Sequence, residues 1–163
     1  MTADDVLHHF HLQPLNEEGG FFVETYRSSE MTTSLPPRYS NSRNYGTAIY
    51  YLLTSNARSK FHRLKSDEVW HFYRGDPVEL IMLLDDGQST SIELGTEWEL
   101  ARHPQAVVPR GTWQGARLID GGQWALLGCT VTPGFDFADF ELASREQLLI
   151  SHPKCTAWIE MLT

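Results

Sequence analysis

The sequence predicts an all-β barrel or sandwich with short helices at its ends, and three observations carry that prediction. From Phe21 onward apolar residues recur with a period of two, in runs such as "FFVETYRS", "TAIYYLL", "DEVWHFYR", "VELIMLL", "TSIEL", "AVVP" and "WALLGCTV". Clusters of Gly, Pro, Asp and Ser separate these runs, as turns do in sandwiches and barrels. No ten-residue stretch with helical periodicity interrupts them, which argues against an α/β fold.

The first element, residues 2 to 10, reads as a short helix: Thr2 can cap it, Asp4 and Asp5 suit the positive end of its dipole, and Pro14 prevents its extension. "NEEGG", residues 16 to 20, then turns the chain into the strands. Helix returns after the last strand, where Ser144 and Gln147 form a capping-box pattern before "LLI". Pro153 separates a final amphipathic stretch that ends near Met161. Two segments are irregular. Residues 29 to 46, "SEMTTSLPPRYSNSRNYG", make a polar loop long enough to be a lid, a partner contact or a disordered segment. Residues 132 to 142, "TPGFDFADFEL", read as a strand or loop clamped onto the barrel by Phe135, Phe137 and Phe140.

A chain of 163 residues fits a single domain, 1–163, with a strand core of about 18–142 and a helical tail of about 144–162. At that length folding buries roughly 70% of the unfolded chain's surface, so a hydrophobic core needs no staple. Cys129 and Cys155 have no framework spacing, which predicts two reduced thiols and a cytoplasmic location. The acidic N-terminus lacks the features of a signal peptide, and the longest apolar runs are too short to span a bilayer, so no membrane partner is expected. A net charge of −8 without clustered Lys and Arg excludes a nucleic-acid partner.

The chemistry concentrates in "FHRLKSDEVWHFYRG", residues 61 to 75. Strand alternation puts Glu68, Trp70 and Phe72 on one face and Val69, His71 and Tyr73 on the other. If Glu68 points inward, His62 and Leu64 of the preceding strand do as well, and an inward Glu opposite an inward His can ligate a divalent metal or share a proton. Each residue also has a purely structural reading. Glu68 would then be a buried hydrogen-bond partner of Gln114 or Arg63, His62 a satisfied core histidine, and Trp70, Trp113 and Tyr51 plain core. His71 belongs to packing or a subunit contact, and His8, His9 and His11 to a solvated surface. There is no G-x-G-x-x-G, no phosphate-loop Lys-Ser/Thr and no G-x-S-x-G elbow, so nucleotide folds and triad hydrolases are set aside.

His62, Glu68 and Gly75 together resemble the first motif of the cupins, in which two His separated by one residue precede a Glu and a later Gly. "PRGTWQ", residues 109 to 114, resembles the second, Pro-x-Gly followed by a third His. The longer stretches "EGGFFVETYRS", "TAIYYLL", "FHRLKSDEVWHFYRGDPVEL", "VVPRGTWQGARL" and "LLGCTVTPGFDFADFEL" resemble one small cupin family of largely unassigned function, over about residues 18 to 142. The resemblance implies a cupin-type double-stranded β-helix (jelly roll) with short N- and C-terminal helices, forming a homodimer. It also implies a pocket between the two sheets that binds a small-molecule ligand, surrounded by His62, Glu68, Trp70, Phe72, Trp113, Gln114 and Tyr51.

Two ligand positions depart from the metal-binding pattern: Leu64 and Gln114 stand where cupins place histidines. Asn16 likewise replaces the His of the related "HPEGG". The cofactor is therefore unknown, the protein being either metal-free or a weak holder of a divalent metal through His62, Glu68 and Gln114. Of the functions implied, the first is an isomerase or epimerase acting on a polar or sugar-like metabolite, with His62 and Glu68 as general base and acid. The second is a non-catalytic binding or sensing module, and the third a metal-dependent oxygenase.

Overall fold

Two antiparallel sheets face each other in the computed structural model, which describes residues 1–163. The six-stranded sheet runs in the order Gln13–Pro14, Phe21–Arg27, Thr47–Thr54, Trp124–Thr132, Asp67–Gly75, Gln105–Val108. The five-stranded sheet runs Phe140–Leu142, Ser59–Leu64, Trp113–Leu118, Val78–Leu83, Ser89–Leu94. From Thr47–Thr54 onward the chain passes back and forth between the two sheets, apart from the hairpin of Val78–Leu83 and Ser89–Leu94, as the β-sandwich of a jelly roll requires.

The period-two pattern fills the space between the sheets. Tyr51, Leu53, Trp70, Leu80, Leu94 and Leu127 are fully buried there, each on the inward face of its strand. Helices cover the outer faces. The helix Ala3–Phe10 is held by the predicted cap, with the Thr2 hydroxyl accepting from the Asp5 amide at 3.2 Å and the Asp5 carboxylate accepting from the Thr2 amide at 2.7 Å. It packs Val6 against Leu52 and Leu126 on the outside of the larger sheet. At the other end Arg145–Ser151 and Thr156–Met161 press Leu148, Ile159 and Leu162 onto Phe61, Ile81 and Leu83 of the smaller sheet.

The capping box expected at Ser144 does not form: its side chain makes no cap hydrogen bond. That end is tied down instead by Arg145, which donates to the Thr163 hydroxyl and to the carbonyls of Glu160 and Thr163.

Residues 29 to 46 are packed rather than loose. Met31–Thr32 pairs with Arg43–Asn44, and the Tyr39 hydroxyl lies 2.9 Å from Ser66 Oγ. Arg43, 3% exposed, forms a bidentate pair with Asp139 at 2.6 and 2.8 Å. The loop is anchored by buried Tyr39 and by an ion pair to a residue 96 positions away, a contact that local spacing does not reveal.

Gly75 closes the strand Asp67–Gly75 with φ at +110°, and a Cβ there would lie 2.3 Å from the Trp124 carbonyl oxygen. Only glycine fits this position, which accounts for the last residue of the "DEVWHFYRG" run.

Candidate functional site

The turn that joins Ser59–Leu64 to Asp67–Gly75 crosses from one sheet to the other, so His62 and Glu68 face each other across the barrel. His62 is 2% exposed and Glu68 7%. The His62 Nδ1–H donates to the Lys60 carbonyl at 2.8 Å, which leaves Nε2 for the interior. Nε2 lies 3.9 Å from Glu68 Oε2 and 3.8 Å from Glu18 Oε2. Both are ion-pair distances and too long for hydrogen bonds.

Glu18 reaches the site through the turn before the first long strand. Gly19 and Gly20 adopt φ of +107° and +70°, which folds the chain back so that the Lys60 amide donates to the Glu18 carbonyl at 2.9 Å. The Ser59 hydroxyl then donates to Glu18 Oε1 at 2.6 Å. Tyr51 fixes the same turn by donating to the Gly19 carbonyl at 2.9 Å.

Behind Glu68 lies a fully connected polar relay. The Trp70 indole N–H can only donate, and it donates to Gln114 Oε1 at 2.9 Å. The Gln114 amide nitrogen must therefore face Glu68, where it donates to Oε2 at 2.5 Å. Gln114 sits beside His62 in the strand pairing, so one glutamine fills a barrel position directly between the two sheets.

Electrostatics set the state of the imidazole. Burial opposes a charge on His62, but the Glu18 and Glu68 carboxylates outweigh it and raise its pKa from 6.5 to about 9. The two carboxylates therefore favour the imidazolium form of His62 at neutral pH. Burial pushes the Glu18 carboxyl above the usual carboxylate range, and His62 offsets part of that rise. Cys129 also lines the cavity, but burial drives its thiol well above the ordinary range, so it is no nucleophile.

His62, Glu18, Glu68 and Cys129 line a cavity of about 350 Å³, within the range of small-molecule sites. Its wall is largely apolar, with Phe22, Ile49, Val131, Phe135 and Phe140 among the lining residues. The Phe140 ring stacks on His62 with centroids 5.4 Å apart and an interplanar angle of 23°.

Of the residues singled out in the sequence, His62 and Glu68 line this cavity, whereas Gln114, Trp70 and Tyr51 stand behind it as supports. Phe72 is buried in the core between the sheets and does not line the cavity. Trp113 does not line it either. It is a strand neighbour of Gln114, and alternation sends it to the opposite face, under Arg63 at 4.4 Å and against the C-terminal helices. His71 faces outward from the larger sheet, bonded to Thr130 Oγ1 at 3.0 Å. Asn16 is exposed and lies outside the cavity.

Sequence reasoning missed Glu18 and gave Phe140 only a clamping role. The signal for Glu18 was present in "EEGG", whose glycines mark a turn that must place its preceding acid somewhere.

The residues do not fit a tightly held metal of the usual cupin kind. Leu64 offers no donor, and the only oxygen of Gln114 is taken by Trp70. No group of three or more His, Cys, Asp or Glu is arranged to hold a metal ion. No helix is long and apolar enough to cross a membrane.

Comparison with known proteins gives a consistent picture. Residues 4–143 match the model of a family described as Cupin superfamily (DUF985). The chain is 30% identical over 145 residues to the uncharacterised Saccharomyces cerevisiae protein YML079W, covering 82% of this chain and 72% of that one. The crystal structure of protein SO0799 from Shewanella oneidensis superposes with a TM-score of 0.88 at 36% identity, covering 100% of this chain and 98% of that one. A hypothetical protein from Leishmania major superposes with a TM-score of 0.91 at 31% identity, over 100% and 99% of the two chains. Oxalate decarboxylase from Bacillus subtilis shares the fold, with a TM-score of 0.57 at 15% identity over 96% of this chain and 38% of that one.

Proposed function

Because the chain belongs to the Cupin superfamily (DUF985), we propose that its barrel cavity binds a small metabolite and moves a proton on it, in an isomerase or epimerase type of reaction. One observation carries this reading: His62 Nε2 is buried and turned into the cavity at ion-pair distance between two carboxylates, 3.8 Å from Glu18 and 3.9 Å from Glu68. An imidazole and two carboxylates that line one cavity together are groups that can give and take a proton from what binds there.

The raised pKa inverts the roles that the sequence suggests. His62 enters the reaction as the acid, and a carboxylate of Glu18 or Glu68 takes the proton from the ligand's carbon. His62 Nε2 gives its proton to the far side of the bond system. Proton return from the carboxylate to the imidazole resets the site, with no outside reactant. The Gln114 and Trp70 relay holds Glu68 in place and so acts as a positioning support.

A second reading, a binding or sensing module without turnover, is favoured by that same relay, since it already occupies one oxygen of Glu68. The test is to identify by native mass spectrometry what co-purifies and to incubate it with the protein in D2O. Proton transfer predicts deuterium at a carbon of the compound, and none with His62→Gln. A compound that binds through many turnover times without exchange leaves only the binding module.

We also propose a cytoplasmic homodimer. The two cysteines are buried and free, in keeping with a reducing compartment. Gln13–Pro14 covers only Phe21 and Phe22, so Val23–Arg27 presents an open strand edge with Tyr26 56% exposed. Size exclusion at micromolar concentration is expected to give about twice the mass of one chain, and a monomer there contradicts the dimer.

A further inference from the structure

A second groove, of about 550 Å³, shares Leu64 and Phe140 with the barrel cavity but carries the opposite charge. Arg38, Arg63, Lys65 and Arg110 line it, against the carboxylates of Asp139 and Glu141. Both acids are already held. Asp139 accepts from Arg43, which stands outside the groove, at 2.6 and 2.8 Å. Glu141 accepts from Arg63 at 2.8 Å, and that guanidinium also lies 4.4 Å over the Trp113 ring. The other three cations are in excess: no carboxylate lies within ion-pair distance of the Arg38 or Arg110 side chain, and Lys65 Nζ has only Asp139, at 3.5 Å.

These cations come from three distant parts of the sequence, and backbone contacts bring them to one place. Arg38 Nε donates to the Lys65 carbonyl at 2.9 Å. The Gly111 amide, next to Arg110, donates to the carbonyl of Leu64 at 2.8 Å. Gly111 has nothing within 4 Å of the point a Cβ would occupy, so the groove is open there. A concentration of unpaired positive charge in a chain of net charge −8 attracts an anion.

We propose that this groove binds a phosphate group, free or as the monoester of a small polar molecule, with Arg38, Lys65 and Arg110 supplying the countercharge. A phosphate monoester carries about two negative charges at neutral pH and presents three acceptor oxygens to guanidinium and ammonium donors, where a carboxylate brings one charge. The patch is small and its surroundings are acidic, which suits a small anion rather than a polynucleotide, whose binding draws on an extended run of cations. The site is separate from the chemistry assigned to the barrel cavity, which none of the three cations lines.

Glucose 6-phosphate, glucuronate, glucose and inorganic phosphate are the probes. Titration calorimetry at pH 8 and low salt is expected to show glucose 6-phosphate binding about tenfold or more tighter than glucuronate, and no binding of glucose. The variant Arg38→Gln/Arg110→Gln is expected to weaken glucose 6-phosphate about tenfold or more, and Arg110→Gln, which removes a side chain that bonds nothing in the protein, to give part of that loss. Arg74→Gln, at an exposed and unpaired arginine outside the groove, is expected to change the affinity less than about twofold. Inorganic phosphate binding as tightly as the ester assigns the site to free phosphate, and weaker binding assigns it to a phosphorylated metabolite. Failure of both phosphates to bind, glucuronate binding as tightly as the ester, or an equal loss with Arg74→Gln overturns the proposal. A protein that fails here yet exchanges deuterium loses only the groove, and one that binds phosphate without exchange loses only the cavity's chemistry.

Discussion

Replacing Asp139 with alanine is expected to destabilise the protein by about 3–5 kcal/mol, the cost of leaving one member of a buried ion pair alone. The carboxylate accepts two hydrogen bonds from the Arg43 guanidinium and has Lys65 Nζ at 3.5 Å, while both Arg43 and Asp139 are almost fully buried. Arg43 keeps two bonds, to the carbonyls of Asn41 and Ser42, but no other carboxylate lies within ion-pair distance of it. The effect extends to the cavity, because Asp139 lies in the segment that carries Phe135, Phe137 and Phe140. Chemical denaturation measures the loss. A change below about 1 kcal/mol would mean that the pair is solvated and that the 29–46 segment is held by something else.

The second large effect is at His62. His62→Gln is expected to lower turnover by about 10²- to 10⁴-fold, the usual contribution of a positioned acid or base. Its effect on stability depends on pH. The folded pKa is raised from 6.5 to about 9, so the interactions of the imidazolium stabilise the fold fully below pH 6.5 and are lost as the pH rises through 9. A shift of that size corresponds to roughly 3 kcal/mol. The variant should therefore be less stable than the parent at pH 6, with the gap closing by pH 10. A gap that does not change between those pH values would place the stabilising contribution of His62 in packing rather than in charge.

Much of this was legible in the sequence, for local reasons. The "DEVWHFYRG" run sorts its own faces by alternation and its final glycine marks the strand's end, so the sharing of one face by Glu68, Trp70 and Phe72 follows from spacing alone. Thr2 and Asp5 spell out their cap within four residues. Trp113 was also legible, and the same alternation that turns Gln114 inward sends its neighbour out. What spacing does not carry is contact between distant segments. Glu18 meets His62 only because two glycines reverse the chain, and Arg43 meets Asp139 only once the 132–142 segment has docked. Ser144 shows the opposite limit: a valid local pattern was overridden because tertiary bonds from Arg145 already hold that helix.

The central claim is that His62 is a buried imidazolium turned into the cavity. Titrating the histidine side chains by heteronuclear NMR, with His62→Gln to assign the resonance among the seven histidines, tests it most directly. The account predicts a His62 transition near pH 9, moving to lower pH in Glu18→Gln. A transition at or below 6.5, or one insensitive to Glu18, would contradict it.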